Sequence, residues 1–169
     1  MRRSPRRRTH RDKNLVGFML DSVHYALPIH RVREIISPVD LAALPQPSPA
    51  VVGVADHRGQ LIPVIDLRVQ FHLPAGRPSR STKWIVVGSE DRGENECAVI
   101  VDAVTDVFGA EPAERRDASS LTVGEAARMV EDVVSHGGIL VFVLNVSKLI
   151  ALVTGVAHRG ERAPTTGVG

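Results

Sequence analysis

A hairpin pattern that occurs twice constrains the fold of this chain more than any other feature. Between Val51 and Phe71, two runs of aliphatic residues flank a polar turn that contains Gly59. Such runs around a glycine favour a buried β-hairpin, because glycine accepts the positive φ that a tight turn requires. Placing Val51–Phe71 over Val130–Ile150, a shift of 79 residues, gives six identities in 21 positions. The turn glycine recurs in register at Gly138, which predicts two copies of one hairpin.

A second match precedes the first in each half of the chain. The segment Tyr25–Ile29 lies over Cys97–Val101 at a shift of 72, and Val32 and Ile35 then lie over Val104 and Val107. Two matches in the same order predict that each half contains two hairpins and a short helix, which together make a small barrel. Because one small lobe has a marginal core, we expect the two lobes to pack together, and their seam is a natural binding groove.

The periodicity along the chain gives the expected elements. The apolar patterns predict strands at 15–20, 23–29, 83–87, 129–134 and 139–144, and one long strand over 97–107. The spacing of Ile29, Val32, Ile35 and Ile36 predicts a helical or 3₁₀ segment instead. Asp66 and Asn145 are expected to cap short helices over 66–73 and 145–152. Residues 1–13 and 153–169 are expected to be flexible tails.

The charge distribution separates a basic tail from an acidic body. Residues 1–13 carry seven basic residues and one acidic residue, whereas the remainder carries 14 basic and 18 acidic residues. The sequence pI of about 9.1 therefore describes the tail. An alternative function is a small β-barrel that binds nucleic acid or an anionic surface through this tail. The acidic body and the aromatic content of 4% disfavour it, because such binders usually have basic grooves and exposed aromatics.

The chain lacks the patterns of an enzyme or a metal protein. Its seven histidines form no HExxH or His-x-His pair, and no GxSxG, P-loop or GxGxxG occurs. The single cysteine, Cys97, excludes an internal disulfide and is expected to be a buried thiol. We therefore expect no catalytic residue, no cofactor and no metal site. We also expect neither a signal peptide nor a transmembrane helix, because no apolar run approaches the necessary length.

Several segments, taken together, are specific enough to indicate a family. In chain order they are Tyr25–Ile29 with Val32–Ile35, Leu44-Pro45, Val52–Val54 with Arg58-Gly59, Ile62–Arg68 with Phe71, and Ile100–Asp102 with Val104. The most specific of them is the pattern VxGVxxxRGxxIPVIDLR. Over about residues 15–152, this set of segments resembles the CheW-like chemotaxis coupling proteins.

The resemblance implies both a fold and a role. The fold is mainly β, with two intertwined, five-stranded SH3-like barrel lobes and short helices. The lobes would span about residues 14–80 and 81–152, with strands exchanged between them. The role is that of a cytoplasmic, non-enzymatic adaptor, recruited to membrane-bound receptor arrays. Its partners would be the regulatory domain of a CheA-like histidine kinase and the helical cytoplasmic tips of chemoreceptors. A divergent adaptor in a non-motility signalling pathway is the other possibility within the family.

The resemblance also points to residues that bind partners. Val32, Glu34 and Ile35 match the family segment that is implicated in partner binding, and Arg58 and Gly59 match its Arg-Gly turn. The strands Ile85–Val87 and Val99–Asp102 are expected to form the walls of the groove, so the expected groove residues are Ile85, Val87, Val99 and Asp102. Arg58 has Gly137 opposite it in the second hairpin copy. Because the hairpin does not require an arginine there, Arg58 is the best single candidate for a partner contact.

Overall fold

The computed structural model describes residues 14–43, 49–91, 94–111, 114–118 and 124–160. The basic segment 1–13, the Leu44-Pro45 pair and the expected tail beyond residue 160 lie outside these ranges. Within them the chain forms eleven strands, three α-helices and a 3₁₀ turn at Ile29–Arg31. The strands are β1 Asn14–Leu20, β2 Val23–Pro28, β3 Val32–Ile36, β4 Val51–His57, β5 Gln60–Asp66, β6 Lys83–Val87, β7 Cys97–Val101, β8 Ala103–Gly109, β9 Arg115–Asp117, β10 Val130–His136 and β11 Ile139–Leu144. The helices are α1 Leu67–Gln70, α2 Gly124–Met129 and α3 Val146–Gly160.

The strands form two sheets, which confirms the predicted mainly β fold of two lobes. One sheet has the order β8-β1-β2-β11-β10-β9 and defines lobe one; the other has the order β3-β6-β7-β5-β4 and defines lobe two. Lobe two is built from the continuous segment 32–101. Lobe one combines the first two strands of the chain with the last four, so each sheet contains strands from both halves of the sequence.

The repeat found in the sequence is a repeat of the structure. In the hairpins β4–β5 and β10–β11 the strand register shifts at equivalent positions, between Val51 and Gly53 in the first and between Val130 and Asp132 in the second. The second strand of each hairpin then pairs in parallel with a strand from the Tyr25–Ile29 and Cys97–Val101 match: β5 pairs with β7, and β11 pairs with β2. The helices that follow are capped as expected: the Asp66 carboxylate accepts from the Arg68 amide at 2.9 Å, and the Asn145 side chain accepts from the Lys148 amide at 3.1 Å.

Apolar side chains alternate between two faces of each sheet and fill three clusters. Phe18, Leu27, Ile85, Val99 and their neighbours meet in a central cluster that strands of both sheets share. The opposite faces fill one smaller cluster in each lobe, around Leu15, Ala26, Val134, Val141 and Val143 in lobe one and around Ile62, Val64, Trp84, Val86 and Ala98 in lobe two. Each strand with period-two alternation therefore contributes to two cores.

Two of the expected elements are wrong. Val32–Ile36 is strand β3 and not a helical segment, because only the 3₁₀ turn Ile29–Arg31 precedes it and the strand then pairs with β6. Cys97–Val107 is not one strand. The chain breaks at Asp102, whose backbone amide donates to the Met19 carbonyl at 2.9 Å, and passes from one sheet to the other. Helix α3 continues to Gly160, past the position where the closing helix is expected to end.

Substitution of Leu27 by alanine should lower the free energy of unfolding by about 2–5 kcal/mol, because it empties part of the central cluster. Leu27 is 0% exposed. The matched control is Leu61→Ala, at a position that is 73% exposed, where a change within about 0.5 kcal/mol is expected. Urea unfolding of both variants measures the difference, and equal losses would contradict the assignment of the central cluster.

Candidate protein-docking surface

The tip of the β4–β5 hairpin holds an arginine in a strained conformation. Arg58 and Gly59 occupy the two turn positions, with φ of 54° and 79°. The equivalent turn in lobe one is made by Gly137 and Gly138, with φ of 57° and 79°. Positive φ at both positions fits a two-residue hairpin turn, and glycine is the residue that adopts it most readily. Lobe two thus places an arginine where lobe one has a glycine, at a conformational cost of about 1 kcal/mol.

The arginine at this tip is joined to the edge strand β3 by an ion pair. Arg58 Nη2 donates to Glu34 Oε1 at 2.9 Å, and His57 Nε2 lies 3.1 Å from Glu34 Oε2. β3 and β4 are the two ends of the sheet order in lobe two, so these contacts show that the sheet curls until its edges meet. A backbone bridge between Ala42 and Val54 closes the same seam. The structure therefore brings Glu34 and Arg58 together, although they are far apart in the sheet order.

Lobe one has the same acid–histidine contact without the arginine. Asp106, which lies over Glu34 in the repeat, has its Oδ2 at 3.4 Å from Nε2 of His136, the counterpart of His57. The His136 ring also stacks on Phe108, with centroids 3.9 Å apart. Because both lobes join their edge strand to a hairpin tip in this way, the Glu34–His57 contact is explained by the fold. Arg58 is an addition that belongs to lobe two.

Exposed aliphatic side chains lie along the segment that closes lobe two. Ile35, Val39 and Leu41 are 41%, 46% and 42% exposed, and they lie on the stretch between Glu34 and the Ala42–Val54 bridge. We call this stretch, with Glu34 and Arg58, the lobe-two face. Val32 is half-buried and packs against the central cluster, so its side chain anchors β3 to the core. Exposed aliphatic side chains on the segment that follows Glu34 make this region a candidate protein-docking surface.

Three of the residues expected to form groove walls are core residues. Ile85, Val87 and Val99 are each 0% exposed and belong to the central cluster. Their strands, β6 and β7, lie inside the sheet order of lobe two, and the face that carries these side chains packs against lobe one in the central cluster. The expectation that these side chains line an open groove is therefore not met, because the strand exchange places them between the lobes.

Asp102 holds the two lobes together at the point where the chain crosses between sheets. Its carboxylate accepts the backbone amide of Asp21, in the β1–β2 turn of lobe one, at 2.7 Å. It also accepts both Nε, at 3.2 Å, and Nη2 of Arg68 on α1 of lobe two. These hydrogen bonds raise the pKa of the Arg68 guanidinium above its usual value. The Asp102 side chain is thus committed to internal contacts.

Two arginines before and within β3 were missed by sequence reasoning. The Arg31 guanidinium is buried; its Nε donates to the Gly88 carbonyl at 2.8 Å and its Nη2 to Ser147 Oγ at 3.3 Å. Burial lowers the pKa of Arg31. Arg33 donates to the carbonyls of His30 and Ser89. Together they fix the turn that leads into β3, and hence the position of Glu34 and Ile35. No pattern in the sequence distinguishes these arginines from surface residues.

Comparison with known proteins now identifies the family. The family model for the CheW-like domain matches residues 14–154, and the chain therefore belongs to the CheW-like family. Chemotaxis protein CheW of Treponema pallidum (strain Nichols) is 25% identical over 141 residues, which cover 81% of each chain. Chemotaxis protein CheW of Helicobacter pylori is 34% identical over 77 residues, a match that spans 46% of this chain and 47% of that relative. The solved structure of scaffolding protein TtCheW from Thermoanaerobacter tengcongensis superimposes with a TM-score of 0.71 at 25% identity, covering 79% of this chain and 89% of that one.

Within the ranges that the structure describes, no group of three or more histidine, cysteine, aspartate or glutamate side chains is arranged to hold a metal ion. In the same ranges, no helix is both long enough and apolar enough to cross a bilayer.

Substitution of Asp102 by asparagine should lower the free energy of unfolding by about 1–3 kcal/mol, because it weakens the hydrogen bonds to Arg68 and leaves that guanidinium without its counter-charge. The control is Asp40→Asn, at an exposed position on the connection after β3, where little change is expected. Thermal and urea unfolding provide the measurement. If both variants unfold like the parent protein, Asp102 does not hold the lobes together.

The Cys97 thiol should be unreactive in the folded protein. Burial raises its pKa to about 12, from its usual value of 9.0, and the side chain is 1% exposed. The folded protein keeps this thiol protonated up to about pH 12, whereas the unfolded chain loses the proton near pH 9. The contribution of the thiol to the free energy of unfolding is therefore fully present below about pH 9 and is lost as the pH rises towards 12. A thiol reagent at about pH 8 should therefore label the protein only after denaturant unfolds it, since the thiolate is the nucleophile. Rapid labelling of the native protein would show that β7 is accessible.

Proposed function

We propose that this protein is a non-enzymatic adaptor that couples chemoreceptor tips to a chemotaxis-type histidine kinase. Membership of the CheW-like family and the relatives named as chemotaxis and scaffolding proteins support this role. In this role the protein would act in the cytoplasm and be recruited to receptor arrays.

The main support for this proposal is that Arg58 is exposed and has a strained backbone conformation. Its side chain is 76% exposed, and its ion pair with Glu34 is therefore worth roughly 0–1 kcal/mol to stability. Its positive φ costs a similar amount, and the fold builds the equivalent turn in lobe one from glycine. Because stability gains little from an arginine here, a contact with a partner is the better explanation for it.

The lobe-two face also has the chemistry that protein recognition requires. Ile35, Val39 and Leu41 offer apolar anchors on the segment that follows Glu34, and Arg58, which pairs with Glu34, offers several hydrogen-bond donors. The ion pair with Glu34 orients the guanidinium before a partner arrives, which reduces the entropy lost on binding. We infer that the partner presents aliphatic side chains next to a hydrogen-bond acceptor or a carboxylate.

The two proposed partners fit this face in different ways. An amphipathic helix of a receptor tip would place aliphatic side chains on Ile35 and its neighbours, which is helix-in-groove recognition without a catalytic group. A kinase regulatory domain with a similar barrel would place its own edge strand and hairpin tip against the face. Binding experiments with each partner separately distinguish these two uses.

Arg58→Ala and Ile35→Asp should each weaken partner binding by at least about tenfold, as expected for a hot-spot residue, with little change in thermal unfolding. The measurement is titration against the purified kinase regulatory domain and against a receptor-tip helical fragment. Both side chains are exposed, so a large loss of stability would instead assign them to the fold.

A matched glycine pair separates binding from turn strain. Gly59→Ala and Gly138→Ala affect turn positions with the same φ of 79°, and at neither does an added Cβ meet an atom within 4 Å. The two substitutions should cost the same stability, about 1 kcal/mol, whereas only Gly59→Ala should weaken partner binding. If the parent protein bound neither the kinase domain nor any receptor tip, the proposed function would fail.

A further inference from the structure

Gly88, the buried residue that follows β6, lies between the two arginines around the start of β3. Its backbone amide donates to the Arg31 carbonyl at 3.0 Å, and its own carbonyl accepts from Arg31 Nε at 2.8 Å. The guanidinium of Arg33 lies against its α-carbon: a Cβ at this position would be 3.0 Å from Arg33 Nε and 3.1 Å from Nη2. Such contacts are tighter than Cβ atoms ordinarily make, so the location of Arg33 depends on the absence of a side chain at residue 88.

The Arg33 guanidinium that fills this space is also held on its other sides. Its Nη1 donates to the His30 carbonyl at 3.1 Å, and its Nη2 donates to the Ser89 carbonyl. Its Nε lies 3.8 Å from Glu96 Oε1. Because two carbonyls and a carboxylate fix the guanidinium, a side chain at residue 88 can be accommodated only if these contacts are disturbed.

Arg33 is also the residue at which β3 shifts its register against β6. Val32 pairs with Val87, but Glu34 pairs with Val86, so β3 contains one extra residue at this point. An extra residue of this kind is a β-bulge, which re-aims the side chains that follow it. The Arg33 side chain packed on Gly88 therefore lies in the bulge that sets the rest of β3.

The register after the bulge determines what the lobe-two face presents. As observed, Ile35 pairs with Ile85, and Glu34 reaches Arg58 at the hairpin tip. Without the bulge, Glu34 would pair with Ile85 and turn to the other face of the sheet, away from Arg58. Ile35 would then pair with Trp84, whose side chain is 3% exposed in the smaller cluster of lobe two. The bulge thus both exposes Ile35 and brings Glu34 to Arg58.

Lobe one has the same arrangement with a different side chain. Thr105 is the counterpart of Arg33 at the shift of 72. The register between β1 and β8 shifts between Val16 and Phe18, on either side of Gly17. A Cβ on Gly17 would lie 2.6 Å from Thr105 Oγ1. In both lobes, therefore, the edge strand shifts its register where a glycine makes room for a side chain of that strand.

We propose that Gly88 is a positioning residue for partner recognition: by making room for Arg33 it holds the bulge in β3, and the bulge presents Ile35 and orients Arg58 through Glu34. This role rests on the function proposed above, because it assigns a further residue to the same docking face. Gly88 is buried and acts through β3 instead of touching the partner. A side chain at residue 88 expels Arg33, and the bulge closes.

Thiol labelling of an Ile35→Cys variant measures the register of β3 without any partner. Cys97 is buried, and peptide mass identifies which thiol is labelled. Ile35→Cys alone should label rapidly. Addition of Gly88→Val should slow labelling of residue 35 at least about tenfold, because that side chain then faces the core of lobe two. Gly109→Val is the matched control: Gly109 is exposed at the end of β8, and among the described residues its Cβ would meet one atom, Asn14 Oδ1 at 3.5 Å, so labelling should not change.

Titration against whichever of the two proposed partners the parent protein binds measures the consequence for recognition. Gly88→Val should weaken binding at least about tenfold, because it withdraws the residues of the docking face together. Gly88→Ala should weaken it less, since Arg33 has less far to move. In an Arg33→Ala background, Gly88→Val should weaken binding by less than about twofold further, because the two residues act through one contact. If valine prevents folding, Gly88→Ala replaces it in both experiments, with slower labelling and weaker binding still expected.

The role of Gly88 and the adaptor function fail separately. Unchanged labelling of residue 35 in the Gly88→Val protein overturns the role of Gly88 and leaves the adaptor function standing. A further large loss of binding in the Arg33→Ala background also overturns it, since Gly88 then acts by another route. Absence of partner binding by the parent protein overturns the adaptor function, and the labelling experiment then still decides whether Gly88 sets the register of β3.

Discussion

The exchange of strands between the two sheets is the constraint on which the rest of this structure depends. Lobe two is continuous in sequence, but lobe one forms only when β1 and β2 meet the last strands of the chain through the parallel pairing of β2 with β11. The central cluster is shared between both sheets, so neither lobe has a complete core alone. Asp102 stands at the crossing and joins the β1–β2 turn to Arg68. Burial of aliphatic surface between the lobes supplies the favourable free energy, and these hydrogen bonds fix the geometry.

The strand exchange also decides which surfaces remain available for recognition. The middle strands β6 and β7 pack one face against lobe one and the other inside lobe two, so the exposed aliphatic side chains lie at the edges of the sheets and at the hairpin tips. An acid–histidine contact joins edge to tip in both lobes. Both lobes share this contact, and Arg58 is the residue at the tip that distinguishes lobe two from lobe one. Two similar lobes with one different residue at the tip are a simple way to make the two ends of an adaptor unequal.

Most of the fold and part of the candidate surface could be predicted from the sequence. Aliphatic alternation and the repeated glycine turn predicted both hairpins, and Asp66 and Asn145 predicted the starts of α1 and α3, because these signals are local. β3 was missed because Ile29, Val32, Ile35 and Ile36 have helical spacing, and pairing with β6 overrides that preference. The residues Val99 and Ile85 were misplaced because a strand pattern reveals which residues alternate but not what covers each face.

What the sequence by itself determined is the repeated hairpin of the two lobes and the choice of Arg58 as a candidate for a partner contact. A hairpin copy with glycine at both turn positions showed that the arginine is unnecessary for the turn, and this comparison needs no coordinates. Only the tertiary structure decided that Glu34 meets Arg58, that Asp102 is a bridge between lobes, and that Ile85 and Val99 are buried between the lobes. These facts depend on the curl of a sheet and on the crossing of the chain between sheets. Contacts between residues distant in sequence produce both, and such contacts leave no local periodicity to read.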